Sequence, residues 1–178
     1  RLTAVLNSHP DLDHMGGLLY ILRHFRTQGL FDNGKNAKGK WGELWDLTRQ
    51  KHAARPLRQG DTLVLGEPEN GLRLEILHPP RHSEDKWRGY NASLVARLLH
   101  HERGLALFMG DAERPVLQRL LAEGLDVRAE VLIAPHHGSY TGFLPQFFQA
   151  VRPQLVVASC GSRYAYPDKK LREWLAEN

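Results

Sequence analysis

His9-Pro10-Asp11-Leu12-Asp13-His14-Met15-Gly16-Gly17 is the stretch on which the reading of this chain turns. Four metal-capable side chains, His9, Asp11, Asp13 and His14, stand between an apolar strand-like run, Arg1 to Leu6, and a helix-like run that begins at Leu18. Ligands at relative positions 1, 3, 5 and 6 share no 3.6-residue period, so one helical face cannot present them all. A tight strand-to-helix loop can point them at one centre, and the spacing predicts such a metal nest. Gly16 and Gly17 are expected to let the backbone turn closely around an ion and the next helix pack near it.

Outward from the nest, 178 residues suit one domain over 1–178, with a composition (42% hydrophobic, 25% charged) of the soluble globular kind. No apolar run approaches the ~20 residues that span a bilayer. The chain opens inside a strand-like run with neither a signal peptide nor a starting Met, and reads as a fragment of a longer polypeptide. A formal charge of +4 with ten further His favours an anionic partner such as nucleic acid. Cys160 stands alone, permits no internal disulfide, and reads as buried and inert.

Further along, Leu18 to Phe25 reads as a helix and residues 29–41 as a mobile loop, followed by a helix from Gly42 to His52. Trp41 and Trp45 are one turn apart there. They form either a stacking platform for single-stranded nucleic acid, beside Lys35, Lys38, Lys40, Arg49 and Lys51, or a helix-packing pair, and the packing pair is favoured. Thr62–Leu65 and Leu72–Leu77 predict a hairpin, and Ser93–Leu99 with Leu105–Met109 a second one. Helix and strand then alternate through Arg114–Glu123, Val131–Ala134, Leu144–Val151 and Leu155–Ser159, with a helical tail from Asp168. Hairpins together with alternating units predict a layered α/β fold.

Three sites share one property: the nest, Asp111 and the pair His136-His137 each follow a strand. Strand ends at one sheet edge are where α/β folds gather working residues. Six or seven N and O ligands there suffice for two ions about 3.5–4 Å apart, with Asp111 as the natural bridge. A donor set of His and Asp without Cys suits Zn²⁺ or Mn²⁺ in a catalytic role. Taken singly, Asp111 or His136 would read as a helix cap or turn former, and it is the nest that changes that reading. His24, His52, His78, His82, His100 and His101 lack this context and read as surface or structural residues.

The nest resembles the metallo-β-lactamase superfamily signature H-x-H-x-D-H followed by glycines, with Asp11 in place of the second His. In the form S-H-P-D-x-D-H-x-G-G it is similar to the DNA-internalisation competence family known as ComEC. Asn91-Ala92-Ser93-Leu94-Val95, Met109-Gly110-Asp111, Ala134-Pro135-His136-His137-Gly138-Ser139 and Ser159-Cys160-Gly161 resemble that family's further segments in the same order. The resemblance implies a lactamase-like four-layer αββα sandwich, lacking here the superfamily's opening strands. It implies a hydrolase domain, itself soluble and extracytoplasmic, carried by a membrane protein that passes transforming DNA inward, with DNA and the channel portion of the same polypeptide as partners and no small organic cofactor.

Residue by residue, the resemblance puts His9, with Asp11 left open, on a first ion, and Asp13 and His14 on a second, with Asp111 bridging. Either His136 or His137 completes the second shell. The family's middle His has no counterpart, since Asn91 and Ser93 stand in its place, and Tyr166 stands where a final His is usual. The expected chemistry is phosphodiester hydrolysis of DNA by two-metal-activated water, with Asp13, His14, Asp111 and His137 catalytic and Asn91, Ser93, Ser139 and Tyr164 contacting substrate. The rival readings are a phosphorylcholine-esterase-like hydrolase and a non-catalytic, metal-stabilised DNA-binding module.

Overall fold

The short apolar runs and amphipathic segments assemble, in the computed structural model, into two sheets that each carry helices on the outer side; residues 1–82, 86–161 and 165–178 are described. Strands β1 (Val5–Leu6), β2 (Leu30–Asp32) and β3 (Arg55–Pro56) run parallel in that order. Helices α1 (Leu12–His24) and α2 (Gly39–Lys51) make the crossovers that parallel pairing requires. Their apolar faces bury Met15, Leu22 and Trp45 against Val5 and Leu30.

The second sheet contains β4 (Thr62–Val64), β5 (Leu72–His78), β6 (Val95–His100), β7 (Arg103–Phe108), β8 (Val131–Ile133) and β9 (Leu155–Val157), in chain order. Pairing is antiparallel from β4 to β7 and parallel from β7 to β9. The parallel crossovers are α3 (Arg114–Ala122) and α4 (Pro145–Val151), and α5 (Lys169–Glu177) closes the layer, its N-terminus capped by the Asp168 side chain. Leu107, Leu117, Leu132, Phe147, Phe148 and Leu171 fill the core under these helices. A separate apolar layer, including Phe31, Leu74, Ile76, Leu94 and Ala96, lies between the two sheets. Three stacked cores separate four layers, helices, sheet, sheet, helices, so the expected αββα sandwich is the observed one. No helix among the described residues is long and apolar enough to cross a membrane.

Several local expectations change. Helix α1 begins at Leu12, so Asp13 and His14 belong to its first turn, and Gly16 and Gly17 lie inside the helix instead of turning the chain around an ion. A Cβ on Gly17 would meet nothing within 4 Å. The loop expected over 29–41 contains β2, whose Leu30, Phe31 and Asp32 are all buried, because Leu30 and Phe31 face different apolar layers. The two tryptophans do not form a packing pair: Trp45 is fully buried while Trp41 is 52% exposed. Cys160, expected to be buried, is exposed.

Candidate metal centre

Sheet register brings the three candidate segments to one edge. The chain leaves β1 through Asn7-Ser8-His9, where Asn7 N–H still donates to Phe31 O, and Leu94 N–H donates to Ser8 O from the other sheet. It leaves β7 through Met109-Gly110-Asp111, and β8 through Ala134-Pro135-His136-His137. Because β7 and β8 are parallel, with Phe108 opposite Ile133, both exits lie at the same end, and His136 N–H donates to Gly110 O at 3.0 Å. Gly110 is needed where it stands: its φ is +52°, and a Cβ there would lie 2.9 Å from Ser8 Cβ and 3.0 Å from Ser93 Cβ. His136 and His137 are successive left-handed residues (φ 46° and 57°), a conformation that costs each about 1 kcal/mol or more and that the packed turn imposes.

Asp111, only 4% exposed at its side chain, is the hub. Its Oδ2 lies 3.5 Å from His9 Nε2 and 3.8 Å from His136 Nε2, and Asp11 Oδ2 is 3.8 Å from the same His9 nitrogen. Its Oδ1 lies 3.1 Å from His14 Nε2 and 3.5 Å from His137 Nε2, with Asp13 Oδ2 at 3.7 Å from His14 and 3.3 Å from His137. Two groups, His9–His14–Asp111 and Asp13–His14–His137, have donor atoms all within 4.8 Å of one another, close enough to hold a metal ion. Asp11 occupies the N-cap position of α1 without its side chain making a capping bond, so the carboxylate remains turned to His9.

The far sides of the rings are held. Ser8 Oγ lies 3.1 Å from His9 Nδ1 and 3.3 Å from His14 Nδ1. A hydroxyl oxygen has two lone pairs and can accept from both Nδ1–H groups, the tautomer that leaves each Nε2 lone pair aimed inward. His136 Nδ1 lies 3.2 Å from Glu113 Oε1, which fixes that ring in the same sense. His9 Nε2, His14 Nε2 and Asp111 Oδ1 are shielded from water and have no hydrogen-bond partner. Buried polar atoms are normally bonded, and two inward-pointing ring nitrogens beside an unpaired carboxylate oxygen fit a cation. The donor set of imidazoles and carboxylates without thiolate is that of a catalytic divalent ion.

Burial pushes the Asp111 carboxyl up, but the close approach of the His14 and His9 rings outweighs it and holds the group below the usual carboxylate range. Burial lowers His14, and Asp111, Asp13 and Asp11 together more than reverse that, leaving it raised. Burial first, then Asp11, Asp111, Glu113 and Asp13, raise Tyr90, whose ring packs on His136 at 4.4 Å between centroids, so its phenol keeps its proton. A cavity of about 750 Å³ lies over the centre, walled by Asp11, Asp13, Tyr90, His136, His137 and Tyr166.

The expected metal-capable residues, His9, Asp11, Asp13, His14, Asp111, His136 and His137, therefore all meet. Of the expected substrate contacts, Asn91, Ser93 and Ser139 are engaged in bonds within the fold. Ser93 is fully buried, and its Oγ accepts from Asp111 N–H at 3.1 Å, fixing the backbone from which the Asp111 carboxylate projects. Asn91 braces Glu113 through both ends of its amide. Ser139, 4% exposed, accepts from Gly142 N–H and closes its own turn. Tyr164 lies outside the described residues. His78 is structural: it is fully buried, its Nε2–H donates to Asn91 O at 2.9 Å, and burial pushes its pKa down to about 3. Ser8, Tyr90 and Glu113 were missed. Ser8 and Glu113 had faint signals, lying one residue before His9 and two after Asp111.

The chain is similar to known proteins over most of its length. The profile of the metallo-beta-lactamase superfamily matches residues 1–161. "ComE operon protein 3" of Bacillus subtilis is 27% identical over 98% of this chain and 22% of its own length. "Competence protein ComA" of Neisseria gonorrhoeae is 30% identical over 93% of this chain and 21% of its own. The chain thus spans about a fifth of the curated relatives it matches. Among solved structures, Igni18, a metallo hydrolase of the archaeon Ignicoccus hospitalis, shares the fold with a TM-score of 0.56 at 22% identity, over 86% of this chain and 61% of its own.

Proposed function

The chain belongs to the metallo-β-lactamase superfamily, and from that premise we propose that it is a divalent-metal-dependent hydrolase domain that cleaves DNA phosphodiester bonds. The observation that carries the reading is the division of Asp111: one oxygen faces His9 and His136, the other His14 and His137. On this division His9, His136 and Asp111, with Asp11 beside them, would hold one ion, and Asp13, His14, His137 and Asp111 another, with His14 also within 4.8 Å of the donor atoms of His9 and Asp111. On this assignment His136 takes over the place of the family's absent middle histidine. Bound Zn²⁺ or Mn²⁺ would lower the pKa of water from about 15.7 toward 7 and offset charge on the phosphoryl group.

The chain's own residues do the rest. Ser8 and Glu113 keep the rings oriented, so that no reorganisation is needed when substrate arrives. Tyr90, still protonated at the cavity wall, donates to a phosphoryl oxygen. Asp13, the most exposed carboxylate of the group, relays a proton toward the leaving oxygen.

DNA as substrate is supported by the basic balance of the chain and by the competence relatives. On the same footing we place this domain outside the membrane, in a longer polypeptide whose channel portion passes one strand while this site degrades the other. The test is elemental analysis of the purified domain loaded with Zn²⁺ or Mn²⁺, with cleavage of linear DNA. Two ions per chain and cleavage that disappears in Asp111→Ala are expected. Cleavage persisting in that variant overturns the reading, and DNA binding without metal-dependent cleavage replaces it with a non-catalytic module.

A further inference from the structure

Trp41 is one of the described aromatic residues that the fold leaves in water, at 52% exposure. Trp45, one turn along α2, is wholly buried, and Arg49, a further turn on, is tied to the buried Asp32. Neither belongs to a surface platform. Trp41 instead borders a cavity of about 760 Å³ whose wall also includes Lys35, Lys38, Arg88 and Tyr90. Asp11 and Asp13 line its inner end, and those two residues with Tyr90 also line the cavity over the metal centre. The two cavities are therefore neighbours along one surface, with the 43% exposed ring of Tyr90 shared between them.

Two exposed aromatic faces among cations, in a trough that ends at a phosphodiester-cleaving centre, match one kind of ligand. A flexible polyanion offers phosphates to Lys35, Lys38 and Arg88, and its unpaired bases offer flat faces to the rings. A duplex keeps its base faces stacked inside and can use only the charges. We propose that this trough takes a single-stranded polynucleotide and leads it to the metal centre, with bases stacked on Trp41 and Tyr90. The ligand class rests on the DNA reading above, while single-strand selection rests on the trough alone.

The test measures binding of the metal-loaded protein to a phosphorothioate oligothymidylate, which resists hydrolysis, and to a duplex of the same length. Trp41→Ala is expected to weaken single-strand binding about tenfold and leave duplex binding unchanged, with Trp41→Phe restoring most of the loss. Lys35→Ala and Lys38→Ala should each reduce the salt dependence of single-strand binding by about 0.7 in log–log slope. Trp41 is exposed, so an unchanged thermal midpoint will show that the variants fold. Single-strand affinity unmoved by Trp41→Ala, or an equal loss on duplex, overturns the proposal and returns Trp41 to the apolar surface it shares with Leu44 and Leu47. A protein that cleaves DNA but ignores Trp41→Ala loses the trough and keeps the hydrolase. One that binds through Trp41 but cleaves nothing keeps the trough and loses the hydrolase.

Discussion

The two oxygens of Asp111 face unlike surroundings. On the Oδ2 side stand His9, 1% exposed and tied to Ser8, and His136, tied to Glu113. On the Oδ1 side stand His14 and His137, 18% and 20% exposed, with Asp13 at 64%. One carboxylate thus joins a more enclosed half, built on the deeply buried His9 with His136 and Asp11 at the cavity wall, to a more open half in which Ser8 also orients His14. Oriented, dry donors lose less freedom on coordination and admit less competing water, so the enclosed half should hold its ion more tightly and the open half should exchange more readily. On the proposed two-ion reading, one carboxylate would serve a position that anchors and another that admits substrate.

Four measurements can break or sharpen that contrast. Asp111→Ala has the largest expected effect, since it removes the shared oxygen pair: elemental analysis should find both ions lost and cleavage at background. One ion retained would mean that the halves are independent. Next come His9→Ala and His137→Ala. Each should leave one ion after dialysis, but raising the free metal concentration should refill the open half in His137→Ala and fail to refill the enclosed half in His9→Ala. Equal behaviour of the two variants would erase the distinction.

Glu113→Gln is smaller. It keeps the shape but weakens the acceptor behind His136, and calorimetric titration should show affinity reduced about 10–100-fold for one ion and unchanged for the other. The smallest effect is on His78, a buried histidine outside the centre whose proton affinity burial and the nearby Arg119 charge lower. Its pKa is lowered from 6.5 to about 3, so below 6.5 the unfolded chain takes a proton that the folded chain refuses. Stability is therefore complete above that value and falls with acid until about 3. One pH unit below 6.5 the loss should be about 1.4 kcal/mol, absent in His78→Gln, with metal content unaffected in both. A denaturant titration at each pH reads it.

Much of the layered fold was legible because each layer carries its own period. The hairpin of β4 and β5, the pair β6 and β7, and the alternation of strands with α3 and α4 follow from runs of two-fold and 3.6-fold apolar spacing. β2 was not legible: three residues between a helix and a Lys- and Gly-rich stretch carry too little pattern, and only burial between two apolar layers makes them a strand. The start of α1 was misplaced for a related reason. Asp13 and His14 are poor markers of a helix interior, yet the first helical turn tolerates an acidic residue at its positive end.

What the residues alone determined is the donor inventory. Imidazole and carboxylate side chains at positions 9, 11, 13, 14, 111, 136 and 137, each placed just after a strand-forming run, point to metal chemistry whatever the rest of the chain does, because ligand type and local period are properties of neighbours in sequence. Tertiary structure decided how that inventory is shared out. It set His136 and His137 on opposite oxygens of one carboxylate, turned Ser93, Asn91 and Ser139 into internal supports, buried Trp45 and left Trp41 at the edge of a trough. Those outcomes depend on distances between residues far apart in the chain, which are set by the register of β7 with β8 and by the crossover helices, and no local pattern encodes them.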